Sequence, residues 1–232
     1  MFERVKQGLF RAVPKQGRGS ANSRVSDWAL RQGLVFSELG DGHGFSLGGT
    51  IAGKAWKIER DHPSRDFIRG SELRARAELG LDGDLSVLVF NRPLKEALEK
   101  RAYRLYTDTL QTSVEPLLSE EMRWLAMYEE VGWASMATAF WNRYSVLAAR
   151  RDDAMAWLEP TLSSLLLDWP EPAPQATTPF MLMLLRGNAY LRMEYATADL
   201  STLQHAAAVF THACQSALSG LTPGKRKPGS RL

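Results

Sequence analysis

The sequence predicts an α+β protein, with an N-terminal antiparallel sheet of about four strands over residues 34–91 followed by a mainly helical C-terminal half. Two changes of period lead there. Between Leu34 and Asn91 apolar residues recur at every second position, as where Trp56 and Ile58 alternate with Lys57 and Glu59. Beyond Pro93 they recur at three and four, so that Leu94, Leu98, Ala102 and Leu105 fall near one helical face.

Residues 1–24 read as a basic N-terminal segment and linker. Phe2, Val5, Leu9 and Val13 share one side of a short helix that would end before Pro14 and the GRGSANS stretch. Residues 25–112 form a β-rich region with a closing helix. Ser26 suits the cap of a helical turn that ends at Gly33. Phe45, Leu47 and Ile51 alternate with small or polar residues, and Gly53-Lys54 suits a type II′ turn, which makes 45–60 a hairpin. SELRARAEL, residues 71–79, has helical composition, but Leu73, Ala75, Ala77 and Leu79 would scatter around a helix and line up on a strand. The strand reading sets Glu72, Arg74, Arg76 and Glu78 on one solvated face. LSVLVF, rich in Val and Leu, is the clearest strand in the chain.

Residues 113–219 read as helical. Ser119 precedes Glu120 and Glu121 as an N-cap should, and further helices are expected at 136–149 and 151–168. WPEPAPQATTP makes a stiff connector. FMLMLLRGNAYLRMEY holds no Val, Ile or Thr and follows Thr178-Pro179, a good N-cap and first-turn pair, so a helix is expected instead of a hairpin at Gly187-Asn188. A last helix spans 200–218, and residues 220–232 read as a disordered basic tail.

The net charge of +3 misleads about the body of the protein. Residues 1–24 carry six Lys and Arg against Glu3, and residues 225–232 carry four with no acid. Setting those ten bases and one acid aside leaves 19 bases and 25 acids, so the body is acidic and no specific nucleic-acid partner is expected. A single cysteine, Cys214, excludes an internal disulfide and any cysteine-cluster zinc site, and its AAAVFTHACQSAL setting reads as packed helix core. Charges interrupt every apolar run near the N-terminus, and no segment has the length of a transmembrane segment, so a cytoplasmic protein is expected.

Several chemical patterns occur in poor contexts. Gly44, Ser46 and Gly48 match G-x-S-x-G, but no helix follows to make a nucleophile elbow; of the four histidines, which include His62, only His43, His205 or His212 could serve as its base. Gly48, Gly53 and Lys54 resemble a phosphate-cradling loop, yet Ala55 stands where a magnesium-binding hydroxyl is needed. The glycines suit turns, bulges or close strand approach instead. His205 and His212 are two helical turns apart, too far for one metal ion, so no metal or cofactor is expected.

Two binding features remain. Trp124, Trp133, Trp141, Trp157 and Trp169 are five of the seven tryptophans, and with Tyr128 and Tyr144 they point either to an aromatic recognition groove or to a core. The leading functional reading is a non-enzymatic adaptor that binds another protein through Trp124, Tyr128, Trp133, Trp141 and Tyr144. Arg60, Arg65, Arg69, Arg74 and Arg76 lie within 17 residues and suit an oxyanion, though Glu59, Asp61, Asp66, Glu72 and Glu78 are interleaved with them. The alternative is therefore an anion-binding or regulatory module on an arginine-rich sheet face. A serine hydrolase is the third reading.

Overall fold

The computed structural model describes residues 21–40, 44–108, 118–171, 174–195 and 199–221. Its strands are β1 (Val35–Leu39), β2 (Gly44–Ile51), β3 (Lys54–Asp61), β4 (Glu72–Glu78), β5 (Val87–Asn91), β6 (Glu129–Val131), β7 (Tyr144–Ala148), β8 (Phe180–Leu185) and β9 (Asn188–Glu194). The helices are α1 (Ala21–Arg31), α2 (Arg92–Asp108), α3 (Glu120–Met127), α4 (Thr138–Arg143), α5 (Arg151–Trp157), α6 (Pro160–Leu167) and α7 (Leu200–Gly220). Among the described residues the nine strands make one sheet, ordered β1-β2-β3-β4-β9-β8-β5-β7-β6, with every neighbouring pair antiparallel.

The fold is α+β, but the expected four-stranded N-terminal sheet followed by a helical half is corrected. The segment 180–194, read as a helix, is the hairpin β8–β9 at the middle of the sheet, and it separates β4 from β5. FMLMLL does not alternate because all six residues are buried, which removes the period-two signal of a half-solvated strand. The stretch 136–149 is likewise split into α4 and the wholly buried β7. The expected helix 151–168 breaks at Glu159, whose extended backbone precedes Pro160 and whose carboxylate accepts from the Thr161 and Leu162 N–H groups to cap α6.

SELRARAEL is a strand, with Leu73, Ala75 and Ala77 buried between its charges. The β2–β3 hairpin also forms, but Ile51 pairs with Lys54, leaving Ala52 and Gly53 as the central residues at φ 47° and 77°. That is a type I′ turn, one residue from the expected type II′ placement, and it suits the right-handed twist of the strands. Arg186 and Gly187, at φ 51° and 78°, turn β8 into β9 in the same way.

One face of the sheet is covered along its length. Phe45, Leu47, Ile58, Leu73, Val89, Leu182 and Leu191 pack there against α1, α5, α6 and α7 in one continuous core. Ala206, Ala213, Cys214 and Ala217 are small enough to bring α7 close, and burial pushes the Cys214 thiol up to about 12. On the other face Leu88, Phe90, Leu147, Met181, Met183 and Leu185 meet Leu94 and Leu98 of α2 and Met122 and Trp124 of α3. This second core lies over β5, β7 and β8, and no described helix continues it over β2, β3 and β4. No helix among the described residues is long and apolar enough to cross a membrane.

The two I′ turns differ in how tightly they are held. A Cβ at Gly53 would meet open space, whereas one at Gly187 would lie 2.7 Å from the Leu81 carbonyl oxygen. Gly53→Ala is expected to cost about 1–2 kcal/mol for its left-handed backbone alone. Gly187→Ala should cost more, because Leu81 must also move. Urea midpoints of the two variants at unchanged slope measure the difference.

Candidate functional site

On the partly covered face the alternation of β3, β4 and β9 aligns charged side chains in three rows across the strands. Asp61, Glu72 and Glu194 form the first, Glu59, Arg74 and Arg192 the second, and Lys57, Arg76 and Tyr190 the third. Like charges directly opposite one another oppose strand pairing, so each row needs partners.

The acidic row finds them in the loop that follows β3. The backbone N–H groups of His62, Ser64 and Arg69 donate to Asp61, Glu72 and Glu194 at 2.7, 2.6 and 2.7 Å. Arg192 donates to Ser64 Oγ at 2.8 Å and lies 2.8 Å from Glu72 Oε1, whose side chain is fully buried. Arg65 Nε donates to the buried Glu121 at 2.5 Å, which ties the loop to the start of α3. There Ser119 caps the helix by accepting from the Met122 N–H.

The bases rely on side-chain carboxylates. Arg74 lies 3.3 Å from Asp61 and 4.0 Å from Glu59, Lys57 lies 2.5 Å from Glu59, and Arg76 lies 2.8 Å from Glu78 with its guanidinium 5.9 Å from the centre of the Tyr190 ring. Two of the arginines answer differently to their surroundings. Burial works against the charge of Arg65, but Glu121, Glu120 and Glu72 more than offset it and its pKa is raised. Arg192 is held below the usual guanidinium range by burial, which outweighs the attraction of Glu72 and Glu121; that attraction is in turn opposed by Arg65 and Arg74.

The second and third rows floor a groove of about 750 Å³, within the range of small-ligand sites. α3 forms one wall through Glu120, Glu121 and Trp124, while Met183, Leu185 and Tyr190 continue the floor beyond the charges. A second cavity of about 280 Å³ shares Trp124, Leu185 and Arg186 with it and is lined further on by Met127, Tyr128, Gly83, Asp84 and Ser86.

Of the arginines singled out in the sequence, Arg65, Arg74 and Arg76 meet in this groove. Arg60 does not: it pairs in register with Phe45 and Leu73 on the opposite face, where its guanidinium lies 5.8 Å from the Tyr195 ring centre. Arg69 is exposed in the loop and contributes a backbone N–H. Arg192, Lys57, Arg186 and Tyr190 complete the groove and were missed. The signal for Arg192 and Tyr190 was the alternation in NAYLRME, hidden by reading that segment as helix.

The aromatic residues have other surroundings. Trp133 is buried and meets Trp141 edge-on at 5.1 Å, and the half-buried Trp141 meets Phe140 at 5.2 Å. Tyr144 is buried and donates to the Leu166 carbonyl, and Trp157 is buried and donates to that of Ala213. Trp169 is buried against Phe180. Trp124 belongs to the second core and reaches the groove wall, and Tyr128, half-buried, donates to Ser86 Oγ at 3.0 Å.

Gly44, Ser46 and Gly48 all lie within β2, on the face away from α7 and its histidines. His205 contacts the Leu165 carbonyl, His212 contacts Glu159 at 2.6 Å, and His62 is exposed in the loop after β3. His43 falls outside the described residues, as do residues 1–20 and 222–232. Gly53 and Lys54 turn into β3 with no helix following. Among the described residues no group of three or more His, Cys, Asp and Glu side chains is placed to hold a metal ion.

No family model matches the chain, and no curated protein matches it. Among solved structures it is similar to the crystal structure of the mycobacterial trehalose monomycolate transport factor A, TtfA, at 12% identity and a TM-score of 0.46, over 91% of this chain and 100% of that one.

The Glu72–Arg192 contact supports both the loop and the groove floor. Glu72→Ala is expected to destabilise the protein by about 3–5 kcal/mol in urea unfolding, because it leaves a largely buried guanidinium unpaired. Replacing both residues by Leu should recover much of that loss.

Proposed function

We propose that this chain is an anion-binding protein whose ligand seats on the arginine-lined groove of the sheet. The observation that carries the reading is the unequal treatment of the charged rows. Backbone N–H groups of the loop bind Asp61, Glu72 and Glu194, so Asp61 and Glu72 divide their oxygens between the loop and the bases Arg74 and Arg192. Arg74 stands opposite Arg192 and Arg76 opposite Lys57, so four bases crowd two cross-strand positions and share Asp61, Glu59, Glu72 and Glu78 among them. An oxyanion placed over Arg74, Arg76 and Arg192 would relieve that repulsion, and guanidinium forks match carboxylate, sulfate and phosphate oxygens. Capture of a protein through the aromatic helices has less in its favour, since Trp133, Tyr144 and Trp157 are occupied in the core.

At matched ionic strength, inorganic sulfate or phosphate should raise the melting temperature of the parent protein. At ten times the dissociation constant the rise is expected to be roughly 3–5 °C. Arg74→Gln combined with Arg76→Gln should remove it, and with side chains 30% and 58% exposed these substitutions should leave folding intact. An equal rise in parent and double variant would contradict the assignment.

A further inference from the structure

The groove is not uniformly polar. From Arg74 and Arg192 its floor runs past Tyr190 to Met183 and Leu185, beneath Trp124, and then into the second cavity at Met127 and Tyr128. Resting on the anion-binding reading above, we infer that the ligand is an anionic amphiphile, a compound with one sulfate-, phosphate- or carboxylate-like head and a short apolar arm. The head lies over Arg74, Arg76 and Arg192, and the arm follows α3 from Trp124 to Met127.

Three features of the two cavities support this assignment. The cavities share Trp124, Leu185 and Arg186, and past these the second offers Met127 and Tyr128 beside Gly83, Asp84 and Ser86, so apolar side chains line both. Met127, the last residue of α3, is 68% exposed although it is large, apolar and beside Trp124 and Tyr128 in the lining. An apolar arm would cover it, and thioether side chains adapt to such irregular partners. Arg186 stands at the junction with a left-handed backbone at φ 51°, a conformation that glycine or asparagine adopts more cheaply. Arg186 lines both cavities, and a side chain with an apolar stem and a charged tip suits a ligand of the same mixed character. A ligand that was only an ion would use neither Met127 nor the second cavity.

The test uses the full chain and a series of probes kept below their micellar concentrations: inorganic sulfate, then methyl, butyl and hexyl sulfate, with hexanol as the uncharged control. Calorimetric titration should show affinity rising along the alkyl series by about three- to fourfold for each methylene that becomes buried. Met127→Glu should flatten that rise, the slope along the series being the readout because the added charge acts on every sulfate alike. Arg74→Gln with Arg76→Gln should weaken every sulfate in the series. Equal affinity for inorganic and hexyl sulfate would overturn the amphiphile and leave the anion site standing, as would an unaltered alkyl series in Met127→Glu. Hexanol binding as tightly as hexyl sulfate would overturn the role given to the head. Binding of no sulfate at all would overturn the anion-binding reading itself.

Discussion

A sheet has two faces to cover, and this chain covers one of them more fully than the other. Helices α1, α5, α6 and α7 close the first face along its length, while α2 and α3 close the second only over β5, β7 and β8. The rest of that face must be compatible with water, and β3, β4 and β9 meet the requirement by alternating small or apolar residues below with charges above. The groove is the boundary between the two treatments. On one side Trp124, Met183 and Leu185 belong to a core, and on the other Arg74, Arg76 and Lys57 belong to solvent.

At this boundary the charges have unequal support. Glu72 is buried under the loop after β3 and held by a backbone N–H and by Arg192, and Arg65 binds Glu121 at the head of α3. These contacts join loop, sheet and helix into one rim. A buried pair of this kind adds little net stability over an apolar replacement, but losing one member is expensive. Arg186 in its left-handed turn and the facing bases on neighbouring strands are further local costs. Such costs gathered at a cleft support reading it as a binding site.

Much of this arrangement was legible in the sequence where a strand had one wet face. SELRARAEL alternates because β4 does, and that alternation already gathered Arg74 and Arg76 on one side. The Ser119 cap of α3 was equally plain, since the chemistry of a helix start is local. The central strands were not legible. FMLMLL and YSVLA are covered on both faces, so their residues carry no period, and Met and Leu suit helices as well as strands in isolation. Reading 180–194 as one helix concealed Tyr190 and Arg192, and with them the repulsion opposite Arg74. The cluster of tryptophans was legible as either core or groove, and tertiary packing makes most of them core.

The central claim is that anions bind where the bases of β3, β4 and β9 face one another, and arginine side-chain NMR tests it most directly. In a titration with phosphate, the Nε–Hε signals of Arg74, Arg76 and Arg192 should move together along one saturating curve, while those of Arg31 and Arg150 stay in place. Uniform movement of all arginine signals, or movement of Arg150 without Arg74, would contradict the claim.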